Sequence, residues 1–114
     1  VLFPMLPGAP GYKLWKRDFI GGCGLMTVVL AGRDGAARDR LIDALSLFGI
    51  GYSWGGFESL ALGVHPERDR SEMPWPPQGF DPADRFALRL WIGMEDPADL
   101  IDDLERGLAA WAAA

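Results

Sequence analysis

The chain has 114 residues and a mass of 12.5 kDa, the length of one ordinary domain, which excludes two domains with separate cores. Hydrophobic residues at 49% and charged residues at 24% match a globular chain and exclude disorder throughout. Eleven Lys and Arg against sixteen Asp and Glu leave −5 at pH 7, which argues against a nucleic-acid partner, since clustered positive charge supplies most of that affinity.

From Val1 to Pro10, three prolines interrupt Leu2, Phe3, Met5 and Leu6, so this segment reads as an extended arm or edge strand. Tyr12 to Phe19 places Tyr12, Trp15 and Phe19 at helical spacing, and Gly21, Gly22 and Gly24 then end the helix. Leu25 to Leu30 is apolar at nearly every position and predicts a strand covered on both faces. After Gly32 the period changes: Ala37, Leu41, Ala44, Leu45 and Phe48 share one helical face, with Arg38, Asp39 and Asp43 elsewhere. Asp34 reads as the N-cap of this helix and Gly49 as its left-handed stop.

Ser59 to Val64 is the next predicted strand. His65 to Asp84 carries five prolines and little periodicity, and reads as a long surface loop. Phe86 to Ile92 is a strand. Asp96 then caps a helix with Pro97 at its first position and Asp99 at the positive end of the dipole. Leu100, Ile101, Leu104, Leu108 and Trp111 form its apolar stripe. These elements predict an α+β fold, a small and mostly antiparallel sheet with helices packed on one face, spanning residues 1–114 as a single domain.

Several kinds of chemistry are disfavoured at once. Cys23 and His65 are the only soft ligands, far apart in sequence, so no metal site is expected. No activated-serine elbow surrounds any serine. A single cysteine permits no internal disulfide, and no apolar run approaches the ~18 residues that span a bilayer, so a cytoplasmic protein with no membrane partner is expected. Cys23 itself reads as a small buried hydrophobe. Six acids and one arginine between Glu95 and Arg106 read as a solvated face, with Glu95/Asp96 and Asp102/Asp103 serving solubility and capping.

Two places remain. In Gly51 to Leu60, Tyr52 and Trp54 flank Ser53, and Gly55 and Gly56 allow close backbone approach; the segment is either a binding loop or an aromatic turn entering a strand. Arg89 puts a permanent charge in the middle of a strand. It must reach solvent, pair with an acid such as Glu58, or meet an anionic ligand, and its planar fork suits a carboxylate.

Leu14-Trp15-Lys16-Arg17-Asp18-Phe19 with its glycine-rich turn, the Gly51 to Leu60 segment, and Leu88-Arg89-Leu90-Trp91-Ile92-Gly93-Met94-Glu95-Asp96 with Asp99-Leu100-Ile101 resemble the C-terminal domain of the cystathionine β-lyase family. That family belongs to the Cys/Met-metabolism group of pyridoxal-phosphate enzymes. The resemblance runs through essentially the whole chain, in order, and departs from the usual pattern at Phe3 and Cys23.

The resemblance implies the small C-terminal domain of a fold-type I pyridoxal-phosphate enzyme, closing over a cofactor held mainly by a large domain absent from this sequence. It implies that Arg89 grips the α-carboxylate of a sulfur amino acid, that Ser53 and Trp54 shape that pocket, and that Tyr52 marks the β-cleaving version, γ-cleaving members tending to carry Glu there. The complete enzyme then cleaves cystathionine to homocysteine, pyruvate and ammonia, on the route to methionine, as a homotetramer. No catalytic or cofactor-binding residue is expected in this chain, since Lys13 and Lys16, its only lysines, lie on a short polar helix. Together with the Val1 start, this reads as a domain of a longer enzyme, inactive alone. The alternatives are a related γ-lyase or γ-synthase, or a noncatalytic binding or assembly module derived from the domain.

Overall fold

A computed structural model describes residues 1–32, 34–52, 54–69, 71, 72, 75 and 86–113. In chain order the elements are α1 (Tyr12–Asp18), β1 (Leu25–Leu30), α2 (Gly35–Asp43), β2 (Gly49–Ile50), β3 (Leu60–Val64), α3 (Pro66–Asp69), β4 (Phe86–Trp91) and α4 (Pro97–Ala112). Most of the predicted 65–84 loop lies outside the described residues, but its start forms α3.

The sheet has the order β1-β4-β3-β2. β4 pairs antiparallel with β1 and β3, whereas the two-residue β2 joins β3 in parallel, so the sheet is mixed. Gly51 to Ser59 makes that parallel pairing possible by carrying the chain back to the start of the sheet edge. Val28, Leu30, Leu88 and Leu90 point to the helix side, where they pack with Leu41 of α2 and Leu100 of α4. Strand alternation therefore turns Thr27, Leu62 and Arg89, which are mutual register partners, to the opposite face. Of the N-terminal arm only Leu2 bridges to β1: Leu2 N–H donates to the Thr27 carbonyl at 2.7 Å and Thr27 N–H to the Leu2 carbonyl at 3.2 Å. Residues 4–10 are not extended as the prolines suggested but turn, with Leu6 N–H donating to the Phe3 carbonyl at 3.1 Å and Ala9 N–H to the Leu6 carbonyl at 3.0 Å. As an edge strand, β1 is only half-buried over most of its length, less covered than its apolar sequence implies.

Both long helices begin where their caps predict. Asp34 accepts from Ala37 N–H at 2.9 Å, and Asp96 accepts from Ala98 N–H at 2.8 Å ahead of Pro97. The ends and faces differ from expectation in four ways. α2 stops at Ala44, and Gly49 is not its cap but the first residue of β2, because the N–H groups of residues 46–48 turn to Asp103 instead of to helix carbonyls. Arg38 is buried, in the space left by the missing side chain of Gly63, whose Cβ would lie 2.7 Å from Arg38 Nε. The buried positions of α4 are Leu100, Asp103 and Gly107, so Ile101 turns outward and is 56% exposed. Asp103, expected on a solvated face, is fully buried. No helix among the described residues is long and apolar enough to cross a membrane.

Candidate functional site

Arg89 occupies the centre of β4, between β1 and β3, on the sheet face away from α2 and α4. Its Nε is buried and has no hydrogen-bond partner among the described residues. Glu58, the internal partner considered from sequence, is exposed, and among the described residues no ion pair joins the two. Arg89 lines a cavity of about 260 Å³ with Leu2, Thr27, Val64, Pro66, Asp69 and Trp75. Trp75 Nε1 is also buried and unpartnered. Both side chains line the same cavity, and an unpaired buried donor costs about 1–3 kcal/mol. The planar fork of Arg89 suits a carboxylate.

The 51–58 loop is held against the same face. Trp91, two residues along β4 from Arg89, points to Arg89's side of the sheet. Its Nε1 donates to the Gly56 carbonyl at 3.0 Å, and its ring supports Gly55, whose Cβ would lie 3.4 Å away. Gly55 and Gly56 adopt φ of 97° and 144°, values that favour glycine, so the loop can turn flat over the tryptophan. Of the three loop residues named from sequence, Tyr52 is 73% exposed and Trp54 is 88% exposed, while Ser53 lies outside the described residues.

A second connection was hidden from sequence. Ser59 is fully buried; its N–H donates to Glu95 Oε1 at 2.8 Å and its hydroxyl to Oε2 at 2.7 Å. The same hydroxyl accepts from Gly93 N–H at 2.8 Å, and Met94 N–H donates to the Phe57 carbonyl at 2.9 Å. The Ser59 donors hold the Glu95 carboxyl below its ordinary range, so Glu95 binds as an anion and is more than a solubilising neighbour of the cap. Its partner lies 36 residues away, beyond the reach of any spacing rule.

The other candidate groups do not assemble a centre. Lys13 and Lys16 are exposed on α1, with Lys16 Nζ 5.9 Å from the Tyr12 ring centroid. Cys23 is exposed, not buried as its glycine-flanked setting suggested. His65 contacts Arg38 and Glu67, and no group of three potential metal ligands occurs among the described residues. With no buried lysine and no cradle of N–H groups around one, the described residues do not fit pyridoxal phosphate.

Residues 1–109 match the family model described as Cys/Met metabolism PLP-dependent enzyme. The chain is 49% identical over 118 residues to a putative cystathionine beta-lyase of Rhizobium johnstonii, covering 99% of the chain and 28% of that protein. It is 43% identical over 107 residues to cystathionine beta-lyase MetC of Escherichia coli, covering 93% of the chain and 26% of that protein. Among solved structures, the cystathionine gamma synthase of Xanthomonas oryzae pv. oryzae in complex with cystathionine superposes with a TM-score of 0.74 at 33% identity, over 96% of this chain and 28% of that one. The chain thus spans about a quarter of the length of the curated relatives it matches. With this coverage, and with the α+β fold shared by that synthase, the chain belongs to the Cys/Met-metabolism family of PLP-dependent enzymes.

Proposed function

We propose that the chain is the substrate-closing domain of a pyridoxal-phosphate-dependent carbon–sulfur β-lyase acting on cystathionine. The observation that carries this reading is the buried, unpartnered Nε of Arg89 on the open sheet face. In the complete enzyme Arg89 grips the substrate α-carboxylate through parallel N–H bonds. By the family resemblance Ser53 and Trp54 shape that pocket once the complete enzyme is assembled, Trp54 not lining the cavity beside Arg89 in this chain, and Tyr52 stands at the position that separates β- from γ-cleaving members. Fixing the carboxylate orients the Cα–H and Cβ–S bonds, a contribution of position and not of proton transfer. The family's cofactor chemistry belongs, in this reading, to the rest of the enzyme, and the 114 residues alone do not catalyse it.

Exposed Leu14, Phe19 and Ile20, beside an apolar groove formed by Phe3, Met5 and Trp15, support packing of this domain against the remainder of its own chain and against further subunits. The chemistry is that of methionine biosynthesis, placed in the cytoplasm. In the complete enzyme Arg89→Ala is expected to raise KM for cystathionine at least tenfold with cofactor absorbance intact, the loss of one charge-assisted carboxylate contact. Unchanged kinetics remove Arg89 from the site. The likeness to a γ-synthase supports a second reading, a γ-lyase or γ-synthase. Products separate them: homocysteine, pyruvate and ammonia for β-cleavage, cysteine, 2-oxobutyrate and ammonia for γ-cleavage, and cystathionine formed from cysteine and an activated homoserine for a γ-synthase.

A further inference from the structure

We infer that Ser59 and Glu95 form a clamp that fixes the 51–58 loop relative to Arg89, and that they are therefore positioning residues for recognition of the substrate carboxylate. This rests on Arg89 being the carboxylate grip. Neither residue lines the cavity beside Arg89, so any effect on binding passes through the loop and the strand. The Ser59 hydroxyl ties two segments at one atom: it donates to Glu95 at 2.7 Å and accepts from Gly93 N–H at 2.8 Å, both in the β4–α4 connection, while Ser59 itself opens the way into β3. Glu95 immediately precedes the capped start of α4, the longest helix, so the carboxylate is anchored on a rigid element.

The path from Arg89 to Trp54 through this clamp is short. Gly93 lies four residues beyond Arg89, and Ser59 lies five beyond Trp54. Gly93 presses directly on the loop backbone: a Cβ there would lie 2.4 Å from the Phe57 carbonyl oxygen and 2.7 Å from Ser59 N. Gly55 and Gly56 add backbone freedom and Trp54 is 88% exposed, so this part of the loop depends on the backbone contacts that follow it. The Trp91 bond to Gly56 and the Ser59–Glu95 clamp both hold the C-terminal half of the loop, and at its other end Gly51 N–H donates to the Ala61 carbonyl at 3.3 Å.

The test uses the complete enzyme and two probes, S-ethylcysteine and its α-carboxamide, which differ only at the group Arg89 is read to bind. The wild type is expected to favour the acid over the amide. Ser59→Ala is expected to cut that preference about tenfold, the equivalent of one to two neutral hydrogen bonds, with kcat within threefold and cofactor absorbance unchanged. Glu95→Gln, which keeps an oxygen for the Ser59 N–H, is expected to cut it less. An equal rise in KM for acid and amide, or no change, overturns the positioning role and leaves the pair purely structural. If Ser59→Ala does not fold, the half-buried Glu95→Gln and Glu95→Ala series decides the question by the same ratio. An Arg89→Ala enzyme that keeps its full acid preference instead overturns the grip itself.

Discussion

Asp103 and Ser46 lie 57 residues apart in sequence, yet Asp103 Oδ1 accepts from both the backbone N–H and the hydroxyl of Ser46, each at 2.9 Å. Its other oxygen accepts from Leu47 N–H at 2.8 Å and Phe48 N–H at 3.2 Å. Arg106, one turn along α4, donates to the same carboxylate and to the Ser46 hydroxyl. A helix side chain thus closes the turn between α2 and β2, which otherwise leaves three consecutive backbone donors without acceptors.

Replacing Asp103 is therefore expected to destabilise the fold strongly. Asp103→Asn retains the volume but brings two donors toward a site filled with donors. A loss of about 2–4 kcal/mol follows from unpaired buried polar groups, with Asp103→Ala at the upper end. Urea unfolding followed by tryptophan fluorescence measures it, and a loss below 0.5 kcal/mol would show that the turn holds without the carboxylate.

The same group sets an acid limit. Burial pushes the Asp103 pKa up, but hydrogen bonds from Ser46, Leu47 and Phe48 outweigh it and bring the value from 3.8 to about 2. A depressed folded pKa stabilises above the ordinary value and loses that contribution as pH falls through the folded one. The stability gap between wild type and Asp103→Asn is accordingly expected to stay constant from pH 7 to pH 5 and to narrow between about pH 4 and pH 2. Unfolding midpoints across that range check it; a gap that narrows near neutrality points to a different group.

What sequence reveals here depends on the distance over which a signal acts. Asp34 and Asp96 were legible as caps because their acceptors serve N–H groups two or three residues on. Arg89 was legible because a charge inside an apolar strand is conspicuous without a partner being known. Asp103, Glu95 and Arg38 were not, since their fixing contacts lie 57, 36 and 26 residues away, and a helix stripe read from hydropathy alone places Ile101 inside and Asp103 outside. The true face of α4 is set by the close approach to α2 at Gly107, whose Cβ would lie 3.2 Å from the Leu41 carbonyl oxygen. Hydropathy does not register a missing side chain.

Gly93 should be intolerant of any side chain. Its Cβ would meet backbone atoms at 2.4, 2.6 and 2.7 Å, and backbone cannot rotate aside as a side chain can. Gly93→Ala is expected to cost about 1–3 kcal/mol from overpacking and to break the Gly93–Ser59 hydrogen bond. By comparison, Gly21→Ala meets nothing within 4 Å and is expected to be close to neutral. Paired thermal melts of the two variants give the contrast, and equal losses would refute the close-contact account.

Isolated from any other segment, the 114 residues are expected to bind pyridoxal phosphate without specificity. Lys13 and Lys16 are exposed on a two-turn helix; Lys13 borders a hollow of about 310 Å³ with Gly8, Ala9, Gly11, Tyr12 and Leu14, which brings no second charged side chain to hold a phosphate. Incubation with equimolar pyridoxal phosphate, borohydride reduction and peptide mapping should give substoichiometric label spread over exposed amines. Label should rise in proportion to cofactor concentration and not saturate. A single saturating adduct on Lys13 or Lys16 would mean that this chain builds a cofactor site of its own, and the assignment of cofactor chemistry to the rest of a longer enzyme would fail with it.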